Sequence, residues 1–254
     1  METMGEQGVK VEVRSVSQRF ERNRPEQKMA LENVSFGVKT NEFVTIVGRS
    51  GCGKSTMLNI IAGLLSPTEG AVLINSKPVE GPGSDRGMVF QHASLFPWLT
   101  AVENIEFGLR NLGTPKKECR VRAQELIELV RLKGFENKYP RELSGGMQQR
   151  VSIARAMAID PEILLMDEPF GALDQLTRED MQRELLRIWE SRKKTVLFVT
   201  HSISEAIYLS DRIFVFAPQP GYVKKEFIIQ IPRPRHKSSI EFMKYYEEIY
   251  ETIS

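Results

Sequence analysis

The chain has 254 residues and a formal net charge of +2, and its hydrophobic and charged fractions of 41% and 27% are typical of a globular protein. This length suits one large domain or two closely joined subdomains, and the near-neutral charge favours no nucleic-acid partner. Residues 1–11 lack the apolar core of a signal peptide, and no apolar run reaches the ~18 residues that span a bilayer. Cys52 and Cys119 form no metal-ligand pattern, which fits a reducing cytoplasm.

The amino-terminal elements alternate apolar and polar residues. Residues 10–16 predict an edge strand and residues 29–38 a second strand, so we expect an antiparallel β layer before residue 43. Phe20 follows the first strand, ahead of the polar segment 21–28. Its ring could stack on an adenine or simply pack against the sheet, because aromatic residues are common in strands.

A glycine-rich turn follows the buried strand predicted at residues 43–47. It matches G-x-x-x-x-G-K-[ST] and leads into an apolar helix that we expect to run to residue 65. Backbone N–H groups of such a turn, with the amino end of the helix, bind phosphate oxygens. The lysine reaches the terminal phosphates and the serine hydroxyl binds Mg²⁺. The residues predicted to bind the nucleotide here are Gly48, Ser50, Gly51, Cys52, Gly53, Lys54, Ser55 and Thr56.

A helical insertion separates the phosphate loop from the next strands. Residues 87–90 predict a buried strand that ends at Gln91, and the pattern then becomes helical to about residue 139. A compact α/β core needs no such insertion, so we expect a subdomain. Ser144, Gly145 and Gly146 then open another helix, which is either a second anion site or an ordinary capped helix.

Two later strands also end in polar residues. Residues 162–166 lead to Asp167 and Glu168, and residues 195–200 lead to His201, with a helix predicted at 178–189 between them. In open α/β sheets, ligands bind beyond the carboxyl ends of the strands, so we expect these groups to meet the phosphate loop. Alone, the acidic pair could be a solvated loop, the histidine structural and Gln91 a surface amide.

Phosphoryl transfer gives each group a role. Asp167 would hold Mg²⁺, Glu168 would orient or deprotonate the attacking water, and His201 would contact the γ-phosphate or the water. Gln91 would reach the metal or the water. Two anion sites for one nucleotide raise a geometric question, because we expect the helix start at Ser144 not to fold back onto its own phosphate loop. A symmetric dimer in which this helix start covers the partner's nucleotide would answer it.

Taken together, the motifs resemble the nucleotide-binding subunit of an ATP-binding cassette (ABC) transporter. They are GRSGCGKST (48–56), Gln91, LSGGMQQR (143–150), ILLMDEP (163–169) with ALD (172–174), and His201. The resemblance implies an α/β fold: a P-loop NTPase core with a mainly parallel sheet, an antiparallel β layer and an inserted helical subdomain. Within one domain, 1–254, the core would comprise 10–90 and 160–220, the helical subdomain 91–159 and a carboxyl-terminal extension 221–254.

The resemblance also implies an ATP hydrolase that uses Mg²⁺ and is a homodimer in its ATP-bound state, docked on membrane-spanning permease subunits at the cytoplasmic face. Phe20 would stack on the adenine, and Asp174 would make inter-subunit contacts. The implied residues form three sets: catalytic Lys54, Glu168 and His201; metal-binding Ser55, Gln91 and Asp167; and nucleotide-binding Ser144, Gly145, Gly146 and Gln148, with Gln91 again.

Finer motifs resemble importers of the nitrate, sulfonate, taurine and bicarbonate type, which use a separate solute-binding protein. They include the segments at 80–91, 95–109 and IPRPR (231–235). Residues 95–99 could dock a permease helix, or Phe96 and Trp98 could be core residues. A soluble ABC protein that acts on DNA or ribosomes is the alternative, but this chain has no long heptad run. No Asn-Lys-x-Asp guanine motif supports a GTPase. An amphipathic helix at 238–253 is expected to pack through its apolar face, which comprises Ile240, Met243, Tyr246, Ile249, Tyr250 and Ile253.

Overall fold

The computed structural model describes residues 8–20 and 28–254. The strands in these residues are β1 (Val9–Phe20), β2 (Lys28–Lys39), β3 (Phe43–Val47), β4 (Glu69–Ile74), β5 (Lys77–Pro78), β6 (Arg86–Val89), β7 (Ile163–Asp167), β8 (Thr195–Thr200), β9 (Arg212–Phe216) and β10 (Val223–Ile228). The helices are α1 (Lys54–Ala62), α2 (Ala101–Asn111), α3 (Lys116–Leu129), α4 (Gly145–Ala158), α5 (Gln175–Arg192), α6 (Ile203–Leu209) and α7 (Ile240–Ile253).

The chain divides into two compact units. The phosphate-loop unit comprises Met1–Gly83 and Lys194–Ser254, and the helical unit comprises Ser84–Lys193. The helical unit thus includes β6, β7 and α5, which the core implied by the family resemblance, 10–90 and 160–220, also contains. Among the described residues, no helix combines the length and apolar character that crossing a bilayer requires.

An antiparallel sheet in the phosphate-loop unit has the strand order β2-β1-β4-β5. The prediction that residues 10–16 form an edge strand is wrong, because β1 pairs with β2 on one side and with β4 on the other. A sequence window shows the alternation of a strand but not how many neighbours the strand has. The ladder shifts register near Ser15, which has a φ of 48°.

The parallel strands of the same unit carry the phosphate loop. β3 lies between β8 and β9 and is parallel to both, and β10 extends β9 in antiparallel fashion. Every residue of β3 and β8 is buried, so both strands are almost continuously apolar rather than alternating. Helix α6 packs on β3 and β8.

In the helical unit, β6 and β7 form a parallel pair and α2, α3 and α4 pack together. Helix α4 also lies against β6. A side chain at Gly87 would come within 2.6 Å of the Ala156 carbonyl, so this approach requires glycine. The predicted helical insertion between the strands is confirmed, as is the mixture of parallel strands with a separate antiparallel sheet.

Two predicted helices differ in detail. Helix α1 ends at Ala62, because Gly63 adopts a left-handed conformation and closes the helix, while Leu64 is exposed. The apolar face predicted for α7 is partly wrong. Phe242 and Ile249 are its buried residues, whereas three of the predicted ones, Ile240, Met243 and Tyr250, are exposed. Apolar residues on both faces of α7 make the buried face ambiguous from periodicity alone.

Candidate functional site

The phosphate loop (residues 48–53) connects β3 to α1 and needs glycine at both motif positions. A side chain at Gly48 would come within 2.8 Å of the Phe216 carbonyl, and one at Gly53 would come equally near the Ala30 carbonyl. Gly53 also has a φ of 92°, which residues with side chains rarely adopt. The motif spacing therefore reflects steric demands of the turn itself.

Lys54 is the first residue of α1, and it is only 5% exposed. Its ammonium donates hydrogen bonds to the carbonyl oxygens of Gly48 and Arg49, at 3.0 and 3.1 Å. The positive charge is thus held over the loop backbone, beside the amino end of a helix that adds its own partial positive charge. This arrangement can attract and orient phosphate oxygens.

A second loop, residues 217–222, supports the phosphate loop, and local sequence signals do not reveal it. The Gln219 amide donates to the Gly51 carbonyl at 3.3 Å. A side chain at Gly221 would lie 2.0 Å from the Cys52 carbonyl. A Pro-Gly pair is a general turn signal, and nothing beside it in the sequence identifies its distant contact.

Replacing Gly221 by Ala should lower the free energy of unfolding by about 1–3 kcal/mol, because the new methyl group overlaps the phosphate-loop backbone. Gly81→Ala is the matched control, since a Cβ there meets nothing within 4 Å and needs no left-handed backbone. Urea unfolding of both variants measures the difference. Equal stability of the two would contradict the close contact.

His201 follows β8 directly, in a turn that is held on both sides. The Thr200 hydroxyl donates to the buried Glu205 carboxylate at 2.6 Å and accepts from the Ser202 backbone N–H at 3.0 Å. Ser202 in turn caps α6 by accepting from the Glu205 N–H. Since β8 and β3 are parallel neighbours in register, His201 and Gly48 leave the sheet at the same edge. The predicted proximity of the histidine to the phosphate loop is thus observed in this unit.

Phe20 is the last residue of β1, paired with Lys28 at the end of the β1–β2 ladder. The residue is 43% exposed, so its ring is not packed in the sheet core. That observation disfavours the sheet-packing alternative, and stacking on an adenine stays a prediction. Residues 21–27, which belong to the predicted polar segment, lie outside the described residues.

Gln91 and Glu168 lie together in the helical unit. They follow the parallel neighbours β6 and β7, which end at the same edge. The Gln91 amide nitrogen would be 3.2 Å from a Cβ built on Gly171, and the Gly171 N–H donates to the Glu168 carbonyl at 3.0 Å. The expectation that Gln91 joins the acidic pair is therefore met within this unit.

Glu168 has an unusual backbone. Its φ of 42° lies in the left-handed region, which costs a residue other than glycine about 1–3 kcal/mol. Such strain persists where the surrounding structure enforces it, and it clusters at functional sites. The conformation favours a functional role for Glu168 over that of a solvated loop residue.

The predicted Mg²⁺ ligands are divided between the units: the Ser55 hydroxyl belongs to the phosphate-loop unit, and the Asp167 carboxylate and the Gln91 amide belong to the helical unit. Within the described part of the chain, no group of three or more His, Cys, Asp or Glu residues could bind a metal alone. A sparse oxygen set fits Mg²⁺, which keeps several waters and substrate phosphates as ligands beside one or two protein groups.

Ser144 caps the amino end of α4, as predicted. Its hydroxyl accepts from the Met147 N–H at 3.3 Å, and the residue is exposed. A side chain at Gly146 would lie 2.7 Å from the Thr177 methyl group, so a larger residue here would have to displace that side chain. The start of α4 at Ser144 and Gly145 is exposed and can therefore bind an anion.

Gln148 has a local role, and its predicted contact with the nucleotide stays a prediction. Its amide donates to the carbonyls of Pro140 and Leu143, at 2.9 and 3.2 Å, and so fixes the segment that leads into α4. Asp174 gains a local role as well. It caps α5 through the Thr177 N–H at 3.0 Å, and hydrogen bonds from Thr177 hold the pKa of this carboxyl below its ordinary value. Its predicted inter-subunit contacts stay a prediction.

Two polar side chains of α4 hold the segment that contains Gln91. Buried Gln149 donates to the Phe90 carbonyl at 3.4 Å. Arg155 donates to the carbonyls of residues 93 and 94 at 3.0 and 2.7 Å, and burial lowers the pKa of its guanidinium. The Gln91 segment and the helix that begins after Ser144 are therefore tied together inside the helical unit.

Phe96 and Trp98 lie in one turn but in different surroundings. Phe96 packs with its ring centroid 4.3 Å from that of Phe107, whereas Trp98 is 70% exposed. Buried Asn104 accepts from the Phe96 N–H and donates to three carbonyls of residues 96–100. Phe96 is thus a packing residue, and Trp98 is presented outward on a rigid turn.

Comparison with known proteins identifies the family to which the site residues of the phosphate-loop unit and of the helical unit belong. A family model described as ABC transporter matches residues 31–171, more than half of the chain. The chain belongs to the ABC transporter family. The matched range of this ABC protein includes the phosphate loop, Gln91, the signature at 143–150 and the acidic pair, while His201 lies beyond it.

Relatives cover nearly the whole ABC protein. An ABC transporter ATP-binding protein of Methanocaldococcus jannaschii is 54% identical over 241 residues, which are 95% of this chain and 90% of the relative. The nitrate import ATP-binding protein NrtD of Synechocystis sp. is 47% identical over 87% of this chain and 86% of its own. A solved dimeric ATP-binding cassette with bound ADP and phosphate is 39% identical and has a TM-score of 0.76. The match covers 87% of this chain and 100% of the cassette. The predicted family and cassette fold are confirmed.

Proposed function

We propose that this ABC subunit hydrolyses ATP at the interface of a homodimer and thereby powers import of a small anion through a membrane permease. The observation that carries the proposal is the grouping of reactive residues: the phosphate loop with His201 in one unit, and Gln91 with Asp167 and Glu168 in the other. The likeness to a nitrate import protein supports an importer for nitrate, sulfonate, taurine or bicarbonate. A separate binding protein and the permease would select the anion.

Each residue has a defined part in hydrolysis. Lys54 and the N–H groups of the phosphate loop bind the phosphates, and Phe20 stacks on the adenine. Ser55 and Asp167 would hold Mg²⁺, which would supply positive charge against the charge that develops on the phosphates. Glu168 accepts a proton from the attacking water, which His201 and Gln91 orient.

The signature residues act on the other copy of the chain. In the ATP-bound homodimer, Ser144, Gly145 and Gly146 cover the nucleotide on the partner's phosphate loop, in an isologous interface. The exposed cap of α4 supports this role, as does the likeness to a dimeric cassette. ATP thereby holds the two protomers together, and hydrolysis releases them.

The permease contact is assigned to the turn that carries Trp98. An indole that is 70% exposed on a turn fixed by Asn104 has the rigidity and apolar area of an interface anchor. The subunit would therefore act at the cytoplasmic face of the membrane, held there by the permease. Because Arg155 ties this region to α4, docking and nucleotide binding can influence each other.

Trp98→Ala should abolish most ATP-driven anion uptake by proteoliposomes that contain the permease and binding protein, while ATPase activity of the isolated subunit persists. Loss of a buried interfacial indole costs about 2 kcal/mol or more, which is roughly a thirtyfold weaker contact. Trp98→Phe is the conservative control. Unfolding of Trp98→Ala would assign the residue to the core. The importer proposal would be contradicted if the unaltered subunit hydrolysed ATP but did not associate with a permease, or associated with DNA or ribosomes instead.

A further inference from the structure

The segment 231–235 has no part in the mechanism above, yet both of its arginines, Arg233 and Arg235, form hydrogen bonds within the phosphate-loop unit. Arg235 is 5% exposed, and among the described residues its hydrogen bonds go to backbone carbonyls alone. Burial lowers the pKa of Arg235 to about 10, so the guanidinium is still charged at neutral pH. Arg233 contacts the Asp211 carboxylate at 2.6 Å.

These arginines close the carboxyl end of α6. The last four carbonyl oxygens of a helix have no partner inside the helix, and in α6 they belong to residues 206–209. The Ala206 carbonyl accepts from the Ser210 N–H at 3.1 Å. The next two carbonyls, of residues 207 and 208, accept from Arg235. The Leu209 carbonyl accepts from Arg233 at 2.5 Å. Three of the four acceptors thus depend on the two guanidinium groups.

The other end of α6 begins beside His201. A helix of seven residues is about 10 Å long and too short to be stable alone, so its placement depends on its packing and its two ends. At the amino end, Thr200, Ser202 and Glu205 form the hydrogen bonds that define the histidine turn. A shift of the carboxyl end is therefore transmitted to the histidine.

We propose that Arg235, assisted by Arg233, is a positioning residue for His201: it anchors the carboxyl end of α6 and so holds the histidine turn in place for the nucleotide. The inference rests on the proposed role of His201 in hydrolysis. The carboxyl-terminal segment, which contains none of the predicted site residues, thereby contributes to turnover.

A double-mutant cycle tests this with the full-length chain. Arg235→Met should lower kcat about tenfold, as small misplacements of catalytic groups do, while Kd for a fluorescent ATP analogue changes less than about twofold. Arg235→Lys should recover part of kcat. In a His201→Ala background, Arg235→Met should lower kcat no further. Arg212→Met is the matched control, because Arg212 pairs with Glu42 and Glu226 in the same unit and should leave kcat unchanged.

The possible results distinguish the positioning role of Arg235 from the proposed role of His201 in hydrolysis. An unchanged kcat in Arg235→Met, or an equal further loss in the His201→Ala background, overturns the inference alone. Wild-type turnover by His201→Ala removes the proposed role of the histidine and the inference with it. If circular dichroism shows that Arg235→Met is unfolded, the same cycle is run with Arg235→Lys.

A second measurement reads the position of the histidine directly. The chain has three histidines, His92, His201 and His236, so their ring Cε1–H signals can be assigned by single substitutions. The His201 signal should shift in the Arg235 variant and stay unchanged in the Arg212 variant. No shift in the Arg235 variant overturns the inference.

Discussion

Glu168→Gln is expected to bind ATP with an unchanged Kd and to hydrolyse it about 10³-fold more slowly than the wild type. The amide keeps the size of the side chain but cannot accept the proton of the attacking water. The backbone hydrogen bond from Gly171 to the Glu168 carbonyl does not involve the side chain, so the turn that places this residue is retained. Phosphate release in steady state, with Kd from a fluorescent ATP analogue, measures both quantities.

The control for this variant is Glu190→Gln, which removes the same charge from an exposed position on α5 and should keep wild-type turnover. A Glu168→Gln enzyme that retains more than about a tenth of wild-type kcat would exclude the residue as general base. Loss of ATP affinity in this variant would assign Glu168 to binding.

Lys54→Met should weaken ATP binding by about 10- to 100-fold, since hydrogen bonds to charged groups contribute about 1.5–3 kcal/mol. Turnover should fall further, because the ammonium also stabilises charge that develops on the phosphate during transfer. The substitution leaves the Gly48 and Arg49 carbonyls without the ammonium that now bridges them. Equilibrium binding and kcat therefore need separate measurement.

A lysine outside the site provides the comparison for Lys54→Met. Lys244 lies exposed on α7, and Lys244→Met should change neither Kd nor kcat. Thermal unfolding of both variants shows whether the loop has collapsed. Wild-type affinity in a folded Lys54→Met protein would refute the assignment of this ammonium to the phosphates.

Local patterns predicted the elements that are stabilised locally. The strand before Gly48, the helix capped by Ser144 and the strand before Asp167 each follow from apolar runs, glycine positions or capping residues in a short window. The grouping of His201 with the phosphate loop also followed, because parallel strands bring their carboxyl ends to one edge.

Contacts between distant parts of the chain were not predictable in this way. Gly221 resembles any turn glycine until its approach to the Cys52 carbonyl is seen. Arg235 resembles a surface arginine near a proline, and only the folded structure shows it closing α6. The hydrogen bonds from the Gln148 amide to the loop before α4 were likewise not predicted, and its contact with the nucleotide stays a prediction.

The most direct test of the central claim, that ATP closes two protomers around a shared site, uses chains that carry Glu168→Gln. Ser144→Cys is placed on one chain and Ser50→Cys on another, and the two are mixed with a short bismaleimide crosslinker. Native Cys52 and Cys119 are buried and should react little. A crosslinked dimer that forms with ATP, and forms neither with ADP nor with either variant alone, is the predicted result. ATP binding without this crosslink would contradict the account.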